Sequence, residues 1–576
     1  MFQKNVKHTQ IDIFGFEMNA NKRKKLDSSI WNTLREHVFE KVSESNFSVL
    51  YSERMGRPNA PINMLITLLT VKELFDWSFR ELESQMEWHI GVQYACGMNI
   101  GESSITLRTT TNFIQSLREH QEITGIDLFD LEFNRLVVGQ IKLFNVSTKI
   151  ARTDSTYIDT NVVSYNRLQF LIEVVKRVYR ILDQKDRATM TSMFSDYVIY
   201  DADNYVYALK SSQIQDEFIK VGHCYYTLPK LFADKYAHTE EWKLFIRVRG
   251  EQFKHNDDDS DKLELRPSSE MTSSSVRGVD DPDATMRNKA GAHYHGFVGQ
   301  IVETANPENG LNLVCEALIS PNNASDEQML VDSFDELKSN TLPQLDELHF
   351  DAGYGGPILD EKLAEHSVKG VQTGIRGVKT THRMNVVLTN DLYYVSCPQG
   401  ESIVLQKTRT GYKAEFSKDK CSACPNRQGC PVKHIAKTDT YIYYLQENAL
   451  GKRIRLTNLN TIPKVRRTLR SGIEATVRQF KCHTKAGKSR LRGRYRHQLW
   501  FQLMALAINL KRIYNYTTGV PRNRRRRSLA SIFERFCDLN RILSKLISAL
   551  MMMYGKISRV NTYNQRSARY YLRLHS

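Results

Sequence analysis

The chain has 576 residues with an ordinary apolar fraction of 41%, enough for three or four domains at ~150 residues each. Its net charge of +17 and pI of about 9.3 point to a polyanionic partner, nucleic acid first and an anionic membrane surface as the rival. No apolar run reaches the ~18 residues of a membrane span, and the opening MFQKNVKHTQIDIFGF lacks the apolar core and cleavage site of a signal peptide. The expectation is therefore a cytoplasmic protein with reduced thiols, its nine cysteines binding metal only where they cluster.

Residues 1–140 read as a helical domain. Asp27 is placed to cap a helix through SSIWNTLREHVFEKV. Pro61 sits where a first-turn proline opens INMLITLLTVKELF. Ser78 and Glu81 match a capping box, and another helix runs through ITLRTTTNFIQSLREH. Short helices with short turns fit either a helix-turn-helix DNA reader or a plain bundle.

At residue 141 the texture changes, and a first core segment extends to 370. β-Branched runs on either side of Asp154 read as two adjacent strands. Residues 165–253 return to helical periodicity, and the polar stretch 254–280 reads as a mobile loop. Within it Asp257, Asp258 and Asp259 read as an acidic loop tip. Strands resume at GFVGQIVET and LNLVCEALI, then a helix at SDEQMLVDSFDEL. The strand LDELHF runs into Asp351 and a glycine turn, a way to hold a carboxylate at a sheet edge or to cap the next helix.

Residues 371–460 read as a β-rich insertion. Cys397, Cys421, Cys424 and Cys430 lie inside it. Their spacing fits four thiolates around a structural zinc, or a group of ordinary buried thiols. A second core segment, 461–520, carries an apolar helix through LWFQLMALAINLKRI, and 521–576 reads as a basic helical tail starting with an Arg-rich tract.

Residues 461–530 hold nineteen Lys or Arg and a single carboxylate, Glu474. Read as one helix, residues 466–481 place Arg467, Arg470, Glu474 and Lys481 within about 40° of one line. Leu469, Ile473, Val477 and Phe480 form an apolar stripe beside it. One acid on a basic face is either a solubilising charge or a metal ligand set among phosphate-binding groups. The second reading needs partner acids, and Asp154 and Asp351 supply them: two divalent ions ~3.5–4 Å apart need one bridging and two outer carboxylates.

Here the chain resembles the DDE transposases of bacterial insertion sequences, in the group whose last acid lies in a Tyr-x2-Arg-x3-Glu-x6-Lys signature. In this sequence the signature reads Arg467, Arg470, Glu474, Lys481, with Arg in place of the Tyr. Asp154 in ARTDST and Asp351 in HFDAGY match the first two acids. The motif DDPDATMRNKAG at 280–291, the Cys-rich insert and the RGRYRHQLWFQLMALAINLKRI segment also match.

The resemblance implies an α/β multi-domain protein. Its core would be RNase H-like, a mixed five-stranded sheet flanked by helices, with a helical N-terminal domain and the β-rich insertion. It implies two Mg2+ or Mn2+ ions per site on Asp154, Asp351 and Glu474, and cut-and-paste chemistry on terminal inverted repeats of double-stranded DNA. Arg467, Arg470, Lys481, Arg490, Arg492 and Arg494 would meet that DNA, and two ends would be joined within a dimer. The rival readings are a DNA-binding repressor or scaffold that kept the fold, and a related RNase H-like nuclease.

Overall fold

A computed structural model describes residues 1–5, 19–98, 105–161, 165–199, 202–255, 263–289, 291–373, 384–389, 392–482, 484 and 488–519. The chain divides into two compact units, Met1–Arg512 and Ile513–Ser576. The architecture below is that of the first. Asp257, Asp258, Asp259 and the basic tail from residue 521 fall outside the described residues.

The N-terminal region is helical as expected, with two boundaries moved. Asp27 ends the helix Ala20–Asp27 and pairs with Arg23, while Ser29 caps the next helix, Ile30–Leu34, by accepting from the Asn32 amide. The helix Ile62–Phe75 is buried on nearly every side, and Pro61 precedes its first turn instead of entering it. Pro61 has no side-chain acceptor to offer, so buried Glu44 takes the amides of Ile62 and Asn63 at 2.8 and 3.1 Å. The Ser78–Glu81 capping box is present on Phe79–Trp88.

Seven strands form the central sheet: β1 (Ile150–Thr160), β2 (Thr285–Lys289), β3 (Ala292–Thr304), β4 (Val314–Pro321), β5 (Glu347–Phe350), β6 (Lys369–Gln372) and β7 (Lys488–Ser489). The path runs β2-β3-β1-β5-β6, with β4 paired to β3 and β7 to β1. β1, β5 and β6 are parallel, while β3 is antiparallel to β1, β2 and β4. The two strands expected around Asp154 are one, because β3 pairs without interruption from Ala151 to Asp159. Asp154 thus lies mid-strand. On the opposite edge of β1, β5 pairs only Ile150 to Arg152 and β7 only Asp159 and Thr160.

Arg152 and Asp154 point to one face of the sheet, since side chains alternate along a strand. The helices Ile473–Cys482 and Arg494–Thr517 cover that face, and Phe480 meets Phe501 with ring centroids 4.4 Å apart. Contact is close at Gly299 of β3, where a Cβ would lie 2.5 Å from the Phe501 ring. The other face packs against the helix Asp326–Glu336. The free edge of β4 is not left to solvent. Asn509 exchanges both hydrogen bonds with the Val314 backbone, and Gln498 accepts from the Ile319 amide and donates to the Ala317 carbonyl. Asp281 and Asp283, of the DDPD motif, accept from the amides of Gly493 and Arg494 and so seat the start of Arg494–Thr517.

Two insertions carry their own cores. The first lies between β1 and β2 and centres on the helices Arg167–Ile181, Ile214–Tyr236 and Glu240–Gln252. Part of the polar stretch 254–280 belongs to it: Phe253–His255 pairs with Leu263–Leu265, and Val276 and Val279 are buried. Arg177 holds the Val279 carbonyl at 2.9 Å, so the end of this irregular stretch is packed against the helical insertion. The second insertion is β-rich, with two small sheets around Val386, Val395, Phe416 and Tyr443. It ends in a helix, Glu447–Thr461, that its composition did not announce.

Candidate active site

The three acids of the sequence pattern come from three elements. The β1–β5 pairing sets Ile150 beside Glu347 and Arg152 beside His349. Two residues further on, Asp154 stands level with Asp351 and on the same face. Asp351 leaves β5 into a turn, where its Oδ1 accepts from the Gly353 amide at 2.8 Å. It therefore holds the turn and caps no helix. Glu474 sits in the first turn of Ile473–Cys482, above β1.

The single helix expected over 466–481 is two elements: a 3-10 helix, Lys464–Gly472, and the α-helix that follows. The break falls at Ser471 and Gly472. Gly472 lies against β1, and a Cβ there would be 2.1 Å from Arg152 Nη1. A 3-10 segment turns three residues per turn, which keeps Arg467 and Arg470 on one side but gives them different tasks. Arg467 donates to the carbonyls of Asn460 and Ile462 and closes the preceding helix. Arg470 turns inward.

Its guanidinium stands among the three acids. Nη2 is 2.8 Å from Asp154 Oδ2 and 3.7 Å from Asp351 Oδ2, and Nη1 is 3.4 Å from Glu474 Oε1. Burial raises the Asp154 carboxyl above the usual carboxylate range, against the opposing pull of Arg470 and the Ser155 amide, with Asp351 adding to the rise. The Glu474 side chain is 65% exposed, so the site opens to solvent on the helix side. Among the described residues no group of three or more His, Cys, Asp and Glu is arranged to hold a metal ion. In the acid trio the reason is visible: Arg470 lies between the carboxylates and serves as their common cation. Three hard oxygen donors converging on one positive charge are nevertheless the donor set that Mg2+ or Mn2+ takes.

The floor of the site is also charged. Glu347 binds Arg466 and accepts from His349 Nε2 at 2.6 Å. Burial works to raise the Glu347 carboxyl, but His349 and Arg466 outweigh it and hold it low. None of these groups was singled out by the sequence pattern. Only the β5 alternation, which puts residues 347, 349 and 351 on one face, could have suggested them.

Lys481 is exposed at the far end of the Glu474 helix. It lines a cavity of about 250 Å3 with Tyr157, Tyr294 and Trp500. The Tyr157 and Tyr294 rings stack at 5.2 Å. Arg490 and Arg494 are exposed, and Arg494 and Arg492 each donate to a carbonyl, of Ile319 and of Asn161. In the second insertion Cys397, Cys421, Cys424 and Cys430 are all partly buried, and they too form no group arranged to hold a metal ion. The Cys421 thiol is raised by its partial burial and then by Cys430, Cys397 and Cys424.

Residues 396–514 match the family described as Transposase DDE domain, and residues 19–116 match a Transposase domain (DUF772). The first match includes Glu474 and the four cysteines; Asp154 and Asp351 lie between the two. No curated protein and no solved structure matches the chain. No helix among the described residues is long and apolar enough to cross a membrane.

Proposed function

We propose that this chain, a DDE transposase of an insertion sequence by its two family matches, cuts the ends of its own mobile element and joins the 3′-hydroxyl ends to target DNA. The observation that carries this is the convergence of Asp154, Asp351 and Glu474 on one cationic position at an open face. The strand order β4-β3-β1-β5-β6, with β1, β5 and β6 parallel, supports an RNase H-like core. In that reading Asp154, central and buried, together with Asp351 and Glu474 would hold two divalent ions. Those ions would activate water or a 3′-hydroxyl and stabilise the leaving oxygen in an in-line displacement.

The chain's own residues supply the rest. Arg470 is the cation that a DNA phosphate entering the acid trio would meet. A guanidinium that pairs with phosphate no longer neutralises the acids, so DNA binding would free the trio for metal. Lys481, about 10 Å beyond Glu474 along their shared helix at 1.5 Å per residue, meets a neighbouring phosphate. Arg490, Arg492 and Arg494 extend the basic surface. Arg467 contributes through the segment it braces, since its guanidinium is committed to carbonyls. The helical N-terminal region reads the end sequence on double-stranded DNA, and two chains bring two ends together as a dimer. Cys397, Cys421, Cys424 and Cys430 would hold a structural zinc that ties the β-rich insertion together.

A repressor or scaffold that kept the fold has no need of three converging acids. The test uses labelled DNA carrying the inverted repeats that flank the gene, with Mg2+. Asp154→Ala, Asp351→Ala and Glu474→Ala should each lower strand cleavage on the order of 10³-fold while binding to the ends stays intact. Cleavage that persists in one of them removes that residue from the site. A supercoiled target in the same assay separates strand joining from a nuclease without transfer.

A further inference from the structure

Beneath the helix that carries Glu474 lies a buried ionic group that the chemistry above does not use. Glu303, near the end of β3, is fully buried and sits directly across from Arg152 of β1. It accepts from Arg152 Nε at 2.7 Å, from Arg512 Nη1 at 2.7 Å and from Thr476 Oγ1 at 2.9 Å. Arg512 also donates to Thr476 Oγ1 at 2.6 Å, and Arg152 Nη1 donates to the Leu469 carbonyl at 2.6 Å. Burial alone would raise the Glu303 carboxyl, but the two guanidiniums outweigh it and keep it ionised.

These bonds fall at chosen places. Leu469 precedes Arg470, and Thr476 follows Glu474 by two residues. Arg152 precedes Asp154 by two residues on the same strand face. Gly472 closes onto the Arg152 guanidinium without room for a Cβ. One carboxylate thus grips the signature segment on both sides of Glu474 and the strand that bears Asp154. A buried network of this kind keeps its geometry only while every member is bonded.

We infer that Glu303 is a positioning residue of the reaction: through Arg152, Thr476 and Arg512 it fixes where Glu474 and Arg470 stand relative to Asp154. The inference rests on the three-acid reading above, and Glu303 itself touches none of the reacting groups. Glu303→Gln should leave end binding within about twofold of wild type. It should raise the Mn2+ concentration for half-maximal cleavage at least about tenfold, because the outer ligand no longer meets the others in register. Thr476→Val, which removes one of the three bonds to Glu303 together with the bond that Thr476 accepts from Arg512, should shift it less, about threefold. Hydrogen exchange provides a readout that needs no metal: amides of 469–477 should exchange faster in Glu303→Gln.

A control separates position from stability. Glu217 is also a buried carboxylate, bonded to Tyr197 in the helical insertion. Glu217→Gln should leave the Mn2+ midpoint unchanged. If Glu303→Gln does not fold, Thr476→Val and Gly472→Ala carry the test. An unchanged midpoint in the folded variants, or an equal shift in Glu217→Gln, overturns the inference while the three-acid reading stands. A wild-type protein that does not cleave overturns that reading, and this inference with it.

Discussion

At the β1–β5 junction three carboxylates share one guanidinium, whereas at the β4 edge of the same sheet four carboxylates gather, and the charges that weigh most on Asp130 and Glu316 are those of acidic neighbours. The second group is Asp127 and Asp130 at the start of the helix Leu128–Leu143, Glu316 on β4 and Glu336 on the helix facing it. Burial pushes Glu316 up to about 7, and burial with its acidic neighbours pushes Asp130 up to about 7 as well. The charged groups that act most on them are all carboxylates. Gln300 donates to Glu316 at 2.9 Å, and Gln502 donates to Asp130. Glutamine amides suit a carboxyl that spends much of its time protonated, since the amide oxygen accepts as readily as the nitrogen donates. The difference teaches that a count of acids does not mark a site. The partners tell more: Arg470 stands among the three acids of the first group, whereas glutamine amides meet Glu316 and Asp130 in the second.

Exchanging these features breaks or sharpens the contrast. The largest effect belongs to Arg470. Arg470→Gln should lower cleavage on the order of 10³-fold, yet bind Mn2+ without DNA about tenfold more tightly, because a competing positive charge is gone. Calorimetric titration of the free protein decides it, and weaker binding would show that Arg470 assembles the acids instead of occupying them.

Next comes Glu316. Its folded-state value lies above its unfolded one, so the native protein holds more protons between about pH 4.5 and pH 7. The stability it contributes is complete below that window and lost as pH rises through it. Glu316→Gln should therefore gain on the order of 2 kcal/mol at pH 8 and nothing at pH 4. Melting curves at the two pH values measure this, and a gain equal at both would mean the carboxyl is charged throughout.

The smallest effect is Glu336→Gln. Removing one like charge lets Glu316 and Asp130 ionise more easily, and should stabilise the protein by under about 1 kcal/mol above pH 7. A matching change at the β1–β5 junction is not expected, because Glu336 is not among the groups that act on Asp154.

Much of this molecule was legible before folding. Helix starts with a polar cap were readable where a local hydrogen bond fixes them, as at Ser78. They shifted where a distant residue supplied the acceptor, as Glu44 does for Ile62. The apolar run at 499–510 could only be buried, and it is. The helix Glu447–Thr461 went unread because its apolar positions are few and its place is set by contacts with β6 and the strand Asn385–Thr389. The 3-10 segment Lys464–Gly472 was likewise unread, since residues three apart, such as Arg467 and Arg470, stay on one side at 100° and at 120° per residue alike.

The sequence by itself determined the chemistry available: a basic chain, one acid in a cationic stretch, and two more acids at strand positions. These are properties of residue type and local spacing, which survive in any conformation. Only the tertiary structure decided which acids meet. Asp154 and Glu474 are brought together by Glu303 and Arg152 reaching across strands, and Arg470 becomes their shared cation only once β5 has set Asp351 level with Asp154. Charge interactions fall off with distance and depend on burial, so their partners are fixed by packing and not by order along the chain.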